Sequence, residues 1–468
     1  MVVVAVFLPV LPALVSRYGY SDDYTFLGYE SSGRDLVHDL SRDHARPLFG
    51  LLYAVGRPVV GTIDGLWRAR LVGVAGIIVL ALAVRSAARA AGFSERFAVT
   101  LAIGVGLLPG AQLYAAWASG APIGWVCAAS IVASRQLVTS AEPVPRGTYA
   151  GAVALLVVSA LTYQTAVGFF VVGLCLALLS PHVQHKPGQL VTRHVRALAA
   201  AMGIVLVWMV AARIMLGKGE RTPFARNPRR KASWFITEVL NNATNTFDIT
   251  PTRIVEVVVL ALMAVVIVIV SRRQGRREGP IVAGALCAAP LIIYAPNLIV
   301  DETWAAYRTL TALSSLVLVF ILVAARELTQ FGKRSVADPT TRRRLDAAFS
   351  LVAVASTAIV AVVMAVTMYR DLVQPQVDEL ADFRVALRAT YSEMPDTIAI
   401  RQLPEPPSPP ARYDEFRIPS LAKEWVPVGF ARAVFRADGR DPDAQRIVRL
   451  APGDAAPAGA TVIEVRVP

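Results

Sequence analysis

The chain has 468 residues, of which 55% are hydrophobic and only 17% charged, with a mean hydropathy of +0.52. That is more apolar material than one soluble core hides, and it comes in blocks near the length that crosses about 30 Å of hydrocarbon, which excludes a soluble protein. The net charge of +13 would suggest nucleic acid in a soluble chain, but here the arginines cluster in short loops between apolar blocks, where anionic headgroups account for them and no nucleic-acid partner is needed.

In chain order, the first apolar run covers 2–16. It carries no basic n-region and ends in RYGYSDD without a small-residue cleavage site, so no cleavable signal is expected. So little precedes MVVVAVFLP that the native N-terminus is expected to be trimmed or misassigned. Asp22 and Asp23 follow at once in YGYSDDYTF. A carboxylate pair at the lip of a membrane bundle is costly to desolvate, so its position needs a reason, either helix capping or function. SSGRDLVHDLSRDHARP then reads as a polar helix, and RPLFGLLYAVGRPVVG, from Arg46, as one or two amphipathic helices lying on the outer surface.

Further spans are expected near 70–88, 97–116, 119–134, 148–161, 164–181, 199–215, 252–270, 281–299, 309–325 and 347–368, about eleven in all. With a cytoplasmic N-terminus, five inside loops carry Arg85, Arg89 and Arg96; Arg135 and Arg146; Lys186, Arg193 and Arg196; Arg272, Arg273, Arg276 and Arg277; and Arg326, Lys333, Arg334, Arg342, Arg343 and Arg344. All obey the positive-inside rule. A full span at Arg46 would invert this alternation. Three segments then face outward: 17–68, 216–250 and 300–308.

The second outward segment breaks the rule with Lys218, Arg221, Arg226, Arg229, Arg230 and Lys231, which points to an anion or to a plain headgroup stripe. Trp234 and Phe235 directly after it would anchor an interfacial helix, together a platform for a lipid phosphate and the chain beneath it. The third, NLIVDETWAAYRTL, sets Asp301, Glu302 and Arg308 at the mouth of a helix. There the acids pair with Arg308, cap the helix or bind substrate, and Arg308 either snorkels or binds an anion. Cys127, Cys175 and Cys287 lie in apolar runs without metal or redox spacing and read as small fillers. The tail from 373 to 468 is a small soluble α/β domain: a charged helical pattern from Gln374, the breaker-rich EPPSPPARYDE, then strand-like GFARAVFRA and ATVIEVRV. The expected fold is thus an all-α polytopic membrane bundle, 1–372, with an α/β appendage outside.

The Asp-Asp pair straight after a first span, the surface helix at Arg46-Pro47, eleven spans and an outer C-terminal domain together resemble the membrane-embedded GT-C glycosyltransferases. Among these they are similar to the bacterial glucosyltransferase-type enzymes that modify surface polysaccharide. The resemblance covers roughly 370 residues and rests on placement more than on letters. It implies an acidic catalytic base in the first outer loop, here Asp22 or Asp23, and a sugar donor carried on polyprenyl phosphate.

The chemistry asks for one carboxylate to take a proton from the acceptor hydroxyl while cations stabilise the departing phosphate, with inversion at the anomeric carbon. Asp23 is assigned the base and Asp22 an orienting role or a share in a metal, although YSDDY leaves open which is which. The expected phosphate clamp is Lys218, Arg221, Arg229, Arg230 and Arg308, with Arg46 and the acids Asp301 and Glu302 at the substrate; Tyr24 and Trp304 would stack on sugar faces. No His-rich or triple-acid cluster demands an ion, and a divalent cation is the one cofactor the pattern admits. The acceptor would be a cell-envelope polysaccharide or glycolipid, and the other partners membrane lipids. Ala-, Val- and Arg-rich usage points to a bacterial plasma membrane. A transporter or flippase for a lipid-linked or anionic substrate is the alternative, kept alive by Pro-interrupted runs at Leu107–Gly110 and Pro290–Asn297.

Overall fold

The computed structural model describes residues 1–467 apart from 29–32, 182–184, 218–223, 248–252, 335–337, 393–394 and 405–414. Among the described residues, seven helices are long and apolar enough to cross a membrane: Ile63–Ala90, Ala118–Thr139, Pro187–Leu216, Arg253–Arg273, Gly275–Ile299, Tyr307–Gly332 and Leu351–Ser392. A pair, Glu95–Gly106 and Pro109–Ala116, bent by 56°, forms either an eighth, broken span or a re-entrant loop. The protein is therefore a multi-pass membrane protein, but eleven spans are not what helix length alone supports. The expected spans 2–16, 148–161 and 164–181 coincide with the shorter apolar helices Val2–Val15, Arg146–Thr162 and Gln164–Leu178. The bend follows from Pro109, which fixes its own φ and pushes Leu108 out of helical conformation to ψ 139°. The second interruption is different: Pro290 and Pro296 lie inside a continuous helix, Gly275–Ile299.

The loop after the first span is helical, as its pattern indicates: Asp22–Gly28, Gly33–His44 and Pro47–Val60. The last long helix runs on through a π-turn, Met368–Val373, into Gln374–Ala389. The appendage that follows has three parallel strands, β1 (Thr397–Pro404), β2 (Arg446–Leu450) and β3 (Thr461–Val467), in the order β2-β1-β3. ATVIEVRV is the strand expected, whereas GFARAVFRA is a helix, Pro427–Ala437. Its buried Phe430, Ala431, Val434 and Phe435 recur at helical spacing behind a proline in the first turn, which overrides the aromatic strand propensity. The breaker-rich EPPSPPARYD lies outside the described residues.

The core of the appendage is shared with the membrane part. Leu380, Phe383, Ile398, Ile400, Phe430 and Val434 pack in one cluster with Tyr24, Leu27, Ile63, Leu66 and Ala118. The closest approach is between two glycines: a Cβ on Gly28 would lie 2.7 Å from the Gly429 Cα, and one on Gly429 would lie 2.8 Å from the Thr25 Cα. Glycine at both positions lets the Asp22–Gly28 and Pro427–Ala437 helices touch backbone to backbone.

Candidate functional site

The two aspartates have opposite surroundings. Asp23 is 1% exposed, and both its oxygens are taken: Oδ1 accepts from the Ser119 N–H at 2.7 Å and the Ser119 hydroxyl at 2.5 Å. Oδ2 accepts the Tyr20 N–H at 3.0 Å, a side chain reaching back to an orphan donor before its own helix. Burial pushes its carboxyl above the ordinary value, with Arg70 and the Ser119 donors pulling the other way. Arg70, 1% exposed, holds the ground beneath: its guanidinium donates to the carbonyls of Ala116 at 2.9 Å, Ala13 at 3.2 Å, Ser16 at 3.3 Å and Tyr18, and lies over the Tyr18 ring. Arginine fits because five donors in a fixed fork can satisfy several carbonyls left over where helices end.

Asp22 stands outside that lock. It is partly exposed, its Oδ1 accepts the Trp425 indole N–H at 2.8 Å, and its Oδ2 has no donor among the described residues. Ser21 immediately before it takes a left-handed φ of 48°, unusual for a non-glycine residue, and its N–H donates to the Ser420 hydroxyl at 2.8 Å. The turn that delivers Asp22 is thus held by the C-terminal domain.

Two arginines lie within electrostatic reach of Asp22 and of each other, Arg46 and Arg308. Each is held by its Nε side. Arg46 Nε donates to the Gln164 Oε1 at 2.7 Å and the guanidinium lies 4.8 Å from the Tyr163 ring centre; burial pulls its ordinary value down, opposed by Tyr163. Arg308 Nε is 3.2 Å from Glu415, whose other oxygen accepts the Arg308 backbone N–H at 3.1 Å, and the guanidinium lies 4.8 and 5.2 Å from the Trp117 and Trp304 rings. Among the described residues the terminal nitrogens of both have no hydrogen-bond partner. The buried indole N–H groups of Trp117 and Trp304, whose rings flank Arg308, also have no partner among the described residues. Tyr20, pushed well up by burial and by Glu415, keeps its proton and donates to the Glu415 carbonyl at 2.9 Å.

The remaining expected residues divide. Tyr24 has no face to offer a sugar: it is fully buried, 3.9 Å from the Phe430 ring, its hydroxyl accepting the Gly19 N–H. Trp304 is at the site, but its ring is met by Arg308 and by Lys423, 5.2 Å away. Asp301 and Glu302 are exposed, and the partner of Arg308 is Glu415 rather than either of them. Arg229 and Arg230 are exposed on the first turn of the Pro228–Trp234 helix, while Lys218 and Arg221 lie outside the described residues.

The basic run contributes a different residue, Lys231. It is 5% exposed, donates to the Asn297 carbonyl at 3.2 Å and to that of Glu302, and lies 4.4 Å from the Trp234 ring. Burial pulls its ammonium down, opposed by Asp301 and Glu302. Below it opens a cavity of about 610 Å³, lined by apolar side chains including Phe235, Leu240, Met263, Leu291 and Leu313. Cys287 lines it too and is exposed, so it is no core filler; Cys127 and Cys175 are buried. Among the described residues no three His, Cys, Asp or Glu side chains are grouped to hold a metal.

Ser119, Arg70, Trp117, Gln164, Glu415 and Trp425 were not singled out as site residues from the sequence. Arg70 had a signal, an arginine inside a run that otherwise reads as a span. The others meet only through the fold.

Fold and site define a multi-pass helical membrane protein in which Asp22 and two arginines lie beside a small α/β domain. No protein-family model matches the chain, and no curated protein matches it. Among solved structures it is similar to the crystal structure of the Archaeoglobus fulgidus oligosaccharyltransferase in complex with zinc and sulfate: 12% identity and a TM-score of 0.45, over 96% of this chain and 62% of that one. The chain thus spans less than two thirds of that protein's length, and a likeness of this degree leaves function to be argued from the site.

Proposed function

We propose that the protein is an inverting glycosyltransferase that moves a sugar from a polyprenyl-phosphate donor to a hydroxyl of a cell-envelope polysaccharide or glycolipid on the outer face of a bacterial membrane. The observation that carries the reading is a carboxylate with a free oxygen within electrostatic reach of two arginines with free terminal nitrogens; an apolar cavity lined in part by Lys231 lies in the same bundle.

Asp22, not Asp23, is the base. A general base must reach the proton it takes, and of the two aspartates Asp22 is the one with an oxygen that has no donor among the described residues. Asp23 is the post on which the loop is built. As the glycosidic oxygen leaves with the phosphate, charge grows on an anion that Arg46 and Arg308 face with preset donors, so little reorganisation accompanies the step. The indole donors of Trp117 and Trp304 are positioned for the same anion or for sugar hydroxyls. The cavity takes part of the polyprenyl chain: its volume falls in the ordinary range for ligand sites and its lining is largely apolar. Lys231 sits where chain and phosphate would meet.

A transporter is the second reading, favoured by the 56° bend at Leu107–Pro109, which brings Gly110 against the Tyr307 carbonyl at the start of the Arg308 helix. The two separate in one assay, transfer of radiolabelled sugar from a panel of polyprenyl-phosphate donors to envelope extract by the purified protein in lipid nanodiscs. D22N should lose transfer by about 10²–10⁴-fold while retaining donor binding. Folded wild type that transfers none of the donors would sink the enzyme reading and send the work to transport assays, whereas D22N that transfers normally would leave the enzyme reading standing and remove Asp22 as the base.

A further inference from the structure

The C-terminal domain does more than cover the pocket. One short stretch, 415–425, touches two of the groups to which the proposed chemistry assigns a charge, Arg308 and Asp22. Glu415 is 1% exposed although it is a carboxylate. One of its oxygens accepts the Arg308 backbone N–H at 3.1 Å and the other forms an ion pair with Nε at 3.2 Å, while the terminal nitrogens of the guanidinium have no hydrogen-bond partner among the described residues. Ten residues on, the Trp425 indole occupies one oxygen of Asp22 and leaves the other open. Lys423 lies over Trp304, whose ring also carries Arg308.

The stretch is itself fastened. Arg417 pairs with Asp371 at 3.1 Å at the end of the last long helix, Phe416 meets the Tyr307 ring edge-on at 5.1 Å, and the Glu379 carboxylate accepts the Ser420 and Leu421 N–H groups at 2.8 Å each. A segment tied at several points can fix the orientation of what it touches.

We infer that Glu415 and Trp425 are positioning residues of the site: Glu415 aims Arg308 at the phosphate, and Trp425 presents one chosen oxygen of Asp22 to the acceptor. This rests on the donor and base assigned above. It makes the soluble domain a structural part of the active centre, and it gives the stretch an opposite sign to a plug. If Glu415 merely filled an anion site on Arg308, removing its charge would free that site and tighten anion binding. If it aims the guanidinium, removing its charge loosens the aim and weakens binding.

The test uses the full chain in nanodiscs, with polyprenyl phosphate and the uncharged polyprenol as probes. Wild type should prefer the phosphate. E415Q should bind the phosphate about tenfold more weakly, the scale of one charge-assisted contact, while polyprenol binding stays unchanged and serves as the control for folding. Tighter or equal phosphate binding by E415Q overturns the aiming role and leaves the donor assignment standing. Wild type with no preference for the phosphate overturns the donor assignment, and this inference with it. Trp425→Phe gives an independent arm: transfer kcat should fall about tenfold with donor KM unchanged, because the indole touches the base and not the phosphate clamp. A W425F protein with unaltered kcat overturns its role.

Discussion

Arginines occupy both ends of the bundle, and they are held in different ways. At the end remote from Asp22, Arg85 and Arg89 pair with Glu95 on open surface, and Arg273 pairs with Glu327 with 44% of the arginine side chain exposed. At the other end Arg70, Arg46 and Arg308 each lie over an aromatic ring and are gripped by carbonyls, an amide or a carboxylate. In the first set the arginine side chains are 43–49% exposed, which suits a charge excess that acts by number. The second works by direction. A guanidinium fixed at one edge offers the other edge to a ligand, which a flexible surface arginine does not.

If that distinction holds, the largest structural effect should come from the arginine with the most acceptors. Arg70→Met keeps bulk and removes the donors that serve Ala13, Ser16, Tyr18 and Ala116, and it strips Asp23 of its nearest positive charge. Breaking a buried charged network this way costs about 3–5 kcal/mol, read as a lower midpoint of thermal unfolding in detergent or as failure to purify as a single species. An unchanged midpoint would mean that Arg70 is not the staple of this end.

Arg308→Lys sharpens the same comparison at the level of function. Lysine keeps the charge but cannot be held at one edge while offering two parallel donors. Transfer should fall by about 10²-fold, the order seen when one preset donor to a developing anion is lost, with the unfolding midpoint little moved. At Arg85 the same replacement should do nothing measurable.

The contrast also explains what could be read in the sequence. Apolar blocks and loop charge report an average over many residues, so the multi-pass class, the helices after the first span and the ATVIEVRV strand were legible. The site depends on contacts between residues far apart in the chain. Asp22 and Trp425 are 403 positions apart, and Arg308 and Glu415 are 107 apart. Nothing local in ARYDEF marks Glu415 as the partner of a membrane arginine. Adjacent in sequence, Asp22 and Asp23 could not be ranked either, because the ranking is made by Ser119, which lies 96 positions from Asp23. Tyr24 fails as a sugar platform for a related reason: an aromatic beside an acidic pair looks available until a second domain covers it.

Ser119→Ala separates the scaffold role of Asp23 from the chemical role of Asp22. It removes one of three donors to a buried carboxyl and leaves the backbone N–H of residue 119 in place. The cost should be about 1–3 kcal/mol in stability, and transfer by the folded protein should survive, because Asp22 keeps its free oxygen. A stable S119A protein without transfer would return the base to Asp23.

The smallest effect is expected at the remote end. Glu95→Ala removes the carboxylate that Arg85 and Arg89 share, with Glu95 itself half exposed, and such pairs contribute about 0–1 kcal/mol in water. Neither unfolding midpoint nor transfer should move beyond that. The variant leaves the positive charge of both arginines in place, so a probe of sidedness, such as labelling of a cysteine introduced in the loop, should also be unchanged. A marked loss of stability would mean that this end, too, is held by particular contacts, and the line drawn between charge used by number and charge used by direction would fail.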